Sequence, residues 1–203
     1  PKDFKKDLGI SLGAVLISSF TSLPPIALAN FSGLAEVSLY STLEKVYKSI
    51  EYVITTFLTV NFSKFAQDFI KKPKITYFKI RKVEKYIVII GVFVFIFSLI
   101  FGKTFLIIIF GKKFQPDLFI ISIMSLIPLL GSLSVLWGNV ALVSINKRNT
   151  LTKIVSSTSV IVAILLIPFC KFFGAHGAAV IILLAGLMIS MRSRYQFFIL
   201  FFK

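Results

Sequence analysis

The chain has 203 residues, of which 57% are hydrophobic and 15% charged, with a formal net charge of +15. Soluble domains are about 45–50% apolar and about 25% charged. A chain of this length cannot bury so much apolar surface in one core, so a soluble globular protein is excluded. Cys170 is the single cysteine, which excludes an internal disulfide framework and a paired-cysteine metal motif. It reads as a small buried hydrophobe.

The chain starts at Pro1-Lys2-Asp3 without a secretory signal pattern and is read as a piece of a longer protein. Six apolar stretches approach the roughly 20 residues that cross hydrocarbon as a helix. They lie near 9–30, 38–62, 84–109, 118–145, 150–171 and 175–191, in one polytopic transmembrane domain covering 1–203. The expected class is an all-α integral membrane protein.

Pro24-Pro25 in the first stretch removes backbone hydrogen bonds and predicts a kink, either static or lining a cavity. The second stretch is the unusual one. At 100° per residue, Ser41, Glu44, Lys48, Glu51, Thr55 and Thr59 share one helix face, and Lys45 sits at its edge. An ionised side chain at mid-membrane costs about 2.5–3.5 kcal/mol, so such residues face a cavity or a partner. Glu44 to Lys48 is an i,i+4 pair in the favoured orientation, and the four charges sum to zero. Self-neutralisation explains how the stripe is tolerated; a cavity-lining role explains why apolar residues do not replace it.

Residues 63–83 are expected to form a basic amphipathic linker, with KKPKITYFKIRKVEK running into the third stretch. Its interleaved aromatics resemble a nucleic-acid patch. Flanking spans favour anionic headgroups instead, and no nucleic-acid partner is expected. The fourth stretch carries Pro128, a second expected kink, and the polar or small residues Ser122, Ser125, Gly131, Ser132, Ser134, Gly138 and Asn139 beside Trp137. These serve either helix packing or substrate contact. Asp117 before this stretch reads as a helix-start residue. His176, the only histidine, lies in the GAHGAA turn and reads as a loop residue.

Seventeen Lys and Arg fall in the N-terminal tail, the second and fourth connections and the C-terminal end, against four in the opposite connections. The positive-inside rule then places both ends in the cytoplasm. No metalloprotease, nucleophile-elbow, phosphate-loop or paired-cysteine motif occurs, so enzymatic activity and a resident cofactor are not expected.

The run LYSTLEKVYKSIEYVITTFLTVNFSKF resembles the eighth span of Wzx-type O-antigen and polysaccharide flippases, within the multidrug/oligosaccharidyl-lipid/polysaccharide exporter superfamily. IIIFGKKFQPDLFIISIMSLIPLLGSL resembles that family's ninth-to-tenth connection, and FFGAHGAA its approach to the last pair of spans. The chain departs from the family at Asn61-Phe62-Ser63, where a proline is usual, and at the SMRSRYQFFILFFK end. The resemblance implies a C-terminal half: about six helices forming one lobe of a two-lobed, roughly twelve-helix transporter in the bacterial inner membrane. Its implied substrate is an undecaprenyl-diphosphate-linked oligosaccharide, flipped by alternating access, with a coupled ion or proton. Its implied partners are membrane lipids and the N-terminal half of the same transporter. Glu44, Lys45, Lys48, Glu51, Ser41 and Thr55 are the expected cavity-lining set. Other readings are a flippase for capsule or teichoic acid units, a multidrug cation antiporter, a membrane-bound glycan polymerase or a non-transporting membrane fragment.

Overall fold

A computed structural model describes residues 23–112 and 114–201, and every regular element among them is helical. Helix α1 covers 23–31; most of the first expected span, and the segment before Pro24-Pro25, lie outside the described residues. Helices α2 (Leu34–Val60) and α3 (Phe62–Lys71) follow one another with only Asn61 between them. Asn61 keeps right-handed helical angles, and without a proline the chain passes into α3 with little interruption. Only Lys72 leaves helical geometry before α4 (Pro73–Phe110), whose start Pro73 pre-sets. Residues 63–83, the expected basic amphipathic linker, are helical: α3 plus the first turns of α4. Its apolar residues recur at helical spacing and find a surface, Phe69 packing edge-on against Phe197 and Phe201.

The fourth stretch is subdivided. Helix α5 (Leu118–Ser125) ends one residue before α6 (Ile127–Ser134), which has Pro128 in its first turn. A π-helical segment, Val135–Leu142, completes it. Asp117 caps α5, its carboxylate accepting from the Ile120 N–H at 2.9 Å. Helix α7 (Arg148–Phe201) contains the fifth and sixth stretches and breaks at Gly174, where φ is 55° and ψ is −137°. A side chain is strained at that φ, and a Cβ there would also meet the Glu36 carboxylate. The two arms fold back on each other. Arg192 Nη1 donates to Ser157 Oγ at 2.8 Å, each about 18 residues from the break. At 1.5 Å per residue that hairpin is about 27 Å deep, close to the ~30 Å of bilayer hydrocarbon.

Among the described residues, three helices are long and apolar enough to cross a membrane: Pro73–Phe110, Leu118–Leu142 and Arg148–Phe201. They point to a membrane-embedded chain. Exposed phenylalanines and isoleucines along α4, such as Phe93, Ile100 and Ile108, fit a lipid-facing surface. Helix α2, with its internal charges, is not among the three. Glycines draw the helices together, as small residues do where apolar lipid supplies no net hydrophobic drive. Gly91 of α4 faces Leu129, and Gly186 of α7 faces Leu130.

The connections divide between two ends. At one, Ser32 Oγ donates to the Cys170 carbonyl at 2.6 Å, Glu36 accepts from the Ala175 N–H, and Asp117 meets His176. The basic segments gather at the other. Cys170, at the first of these ends, is fully buried among apolar neighbours.

Candidate functional site

Helix α2 packs one face against α6 and the second arm of α7, so its stripe points between them. There a cleft of about 210 Å³ is lined by Glu44, Lys48 and Glu51. Facing them are Gly131 and Ser134 of α6, Asn139 of the π-helical segment, and Ser159 and Gly186 of α7. The remaining walls are aliphatic, including Ile127, Leu130, Val155 and Ile189. Lys48 Nζ and Glu44 Oε1 are 2.7 Å apart, with side chains 20% and 12% exposed. Shielded to that degree, the attraction between them is screened less than in a surface salt bridge.

Glu51 sits differently. Its carboxylate lies directly against Gly131, in the space a Cβ would fill, and among the described residues no ion pair engages it. Ser134 Oγ donates to both Leu130 and Gly186 carbonyls, at 2.8 and 3.0 Å, tying α6 to α7 at the cleft's edge. The π-helical segment places Asn139 on the wall. Wide turns of this kind leave carbonyls out of the regular ladder and recur at functional sites.

The six expected cavity residues are thus separated by the fold. Glu44, Lys48 and Glu51 line the cleft together. Lys45 is exposed and lies outside it, in a neighbouring groove that it shares with Glu44, Lys48, Ser49 and Tyr52, because it projects 100° around α2 from Glu44. Ser41 and Thr55 are not among the lining residues. Thr55 shares the stripe's face one turn further on, and its hydroxyl donates to the Glu51 carbonyl at 3.0 Å. Ser122 and Ser125 likewise bond to carbonyls of their own helix, at 2.5 and 2.7 Å. Of the fourth stretch's polar residues, Ser134 and Asn139 reach the cleft.

A second charged cluster closes the basic end. Glu84, 8% exposed, takes Arg81 on Oε2 at 2.5 Å, and Arg194 and the Trp137 indole N–H on Oε1 at 3.1 and 3.2 Å. Arg194 also lies over the Trp137 ring, 5.6 Å from its centroid. One carboxylate therefore joins α4, the π-helical segment and the end of α7. Arg81 to Glu84 is an i,i+3 spacing visible in the sequence, whereas Arg194 carries no local signal of its partner.

At the opposite end, Asp117 Oδ2 and His176 Nε2 are 2.7 Å apart, and the imidazole stacks on Phe119. Partial burial raises the Asp117 pKa, but the Ile120 N–H and His176 outweigh it and hold the carboxyl below its usual range. His176 is thus tied to α5 rather than free in a turn. Among the described residues, no group of three or more His, Cys, Asp or Glu is placed to hold a metal.

No family model, curated protein or solved structure matches this chain.

Proposed function

We propose that this chain is one lobe of a two-lobed, alternating-access flippase for lipid-linked oligosaccharides in the bacterial inner membrane, with the basic end cytoplasmic. The observation that carries this reading is the cleft: paired charges, a free carboxylate, an amide and hydroxyls within helices otherwise suited to lipid. Moving a sugar-diphosphate head through hydrocarbon requires polar groups that replace its water, and such groups are too costly to keep there without use. Lys48 would contact diphosphate or an acidic sugar, with Glu44 orienting it. The undecaprenyl carrier and the second lobe come from the family resemblance in residues 39–65, 107–133 and 172–179, and the cytoplasmic side from the loop charges.

Glu51 favours a second reading, a multidrug cation antiporter, because a carboxylate without an ion-pair partner is what a cationic substrate requires. The two separate in one experiment. Lys48→Ala and Glu44→Gln are introduced into the full-length transporter, in cells lacking any other exporter for the glycan. At unchanged protein level, surface polysaccharide falls at least tenfold if this chain is a flippase. Unchanged surface polysaccharide with altered resistance to cationic drugs would instead support the antiporter.

A further inference from the structure

The α3–α4 corner holds a groove of about 280 Å³ that the transport cleft does not use. It is lined by Lys64, Asp68, Lys79 and Lys82, with Asn61 and Tyr86 at its margins. We propose that this groove binds the phosphate of an anionic phospholipid, whose acyl chains lie along the exposed face of α4. The charge balance comes first. Asp68 pairs directly with Lys79, at 2.7 Å, and feels Lys64 only through space, so three groove lysines face one carboxylate; among the described residues no carboxylate forms an ion pair with Lys64 or Lys82. Hydrogen bonding to Lys79 keeps the Asp68 carboxyl below its ordinary range, so it is ionised and the groove retains two uncompensated cations.

What continues from the groove selects a lipid over a free anion. Lys79, Lys82, Tyr86, Ile90, Phe93 and Phe97 fall on one face of α4 at helical spacing. Tyr86 is 55% and Phe93 68% exposed, so this face is not covered by the bundle. From Tyr86 to Phe97 is about 16 Å along the axis, the depth of one leaflet's hydrocarbon. A cationic groove, an aromatic at the interface and an apolar strip one leaflet deep match the three parts of a phospholipid. The site rests on the membrane placement of α4 and not on transport, so a failed transport assay leaves it standing.

The test is native mass spectrometry of the full chain in detergent, titrated with phosphatidylglycerol, phosphatidylcholine or inorganic phosphate. Phosphatidylglycerol binds at least tenfold more tightly than phosphatidylcholine. Lys64→Gln and Lys82→Gln each weaken it about fivefold, the share of one headgroup-facing cation. Asp68→Asn, which releases Lys79, tightens it by a similar factor, a direction that misfolding cannot produce. Lys147→Gln, a basic residue of the same end but outside the groove, leaves it unchanged. Equal binding of the two lipids overturns the proposal. So does an equal loss in Lys147→Gln, which marks diffuse charge, or displacement of the lipid by millimolar inorganic phosphate, which marks a free-anion pocket.

Discussion

Gly131→Ala tests whether the position of Glu51 matters more than the packing around it. A Cβ at Gly131 collides with the Glu51 carboxylate. That carboxylate ends a flexible side chain, so the collision is relieved by rotating it out of place, at about 0.5–1.5 kcal/mol. Replacing glycine by alanine within a helix returns about 1 kcal/mol. The two nearly cancel, and the variant should unfold within a few degrees of the parent. Gly91→Ala provides the contrast, because its Cβ would meet Leu129 Cβ and Cδ1 at 2.7 Å. Leu129 Cβ moves only with its backbone, so α4 and α6 must separate, which costs about 1–3 kcal/mol and outweighs or at best meets the same helix-propensity gain of about 1 kcal/mol. Thermal unfolding in detergent and, on the flippase reading proposed above, surface polysaccharide in cells carrying the variant read the two consequences apart. Gly131→Ala should keep its melting temperature and lose transport at least tenfold; Gly91→Ala should melt early. If Gly131→Ala melts as early as Gly91→Ala, the carboxylate is not free to move. If it transports like the parent, the placement of Glu51 has no functional role.

Glu84→Gln should destabilise by about 1–3 kcal/mol in equilibrium unfolding, since it weakens the acceptor for the buried Trp137 N–H. The loss stays below the 3–5 kcal/mol typical of a broken, fully buried ion pair, because the Arg81 and Arg194 side chains are 37% and 42% exposed. A double-mutant cycle with Arg194→Gln should show coupling, and strict additivity would refute the clasp. Asp117→Ala removes a helix cap and should cost about 1 kcal/mol. Because the folded-state pKa of Asp117 is lowered, its charge contributes stability above the unfolded value, near 4. That contribution is lost as pH falls through the folded value. The variant should therefore show a shallower acid limb in melting temperature against pH, and an unchanged limb would refute the assignment.

Much of the fold was legible because its signals are local. Apolar runs of span length marked the helices, Asp117 announced the α5 cap, and Pro128 marked the break near Leu126. The charged stripe was visible because residues three and four apart share a face. The 63–83 segment reads from its sequence as a basic amphipathic linker, and its lysines say nothing of which residues its apolar side would meet. Its aromatics found Phe197 and Phe201 from the chain's far end, which no local pattern encodes.

Composition and loop charge by themselves determined a helical, membrane-suited chain with a charged second stretch, since apolar content and helical periodicity are properties of short windows. Only the tertiary structure decided which of those charges share a site. It turned Glu44, Lys48 and Glu51 into one cleft, left Lys45 outside, and set Glu51 against a glycine from another helix. It also joined Glu84 to Arg194. The physical reason is that each of these contacts depends on how neighbouring helices are rotated and how closely they approach. Those quantities are set by packing between residues far apart in the chain.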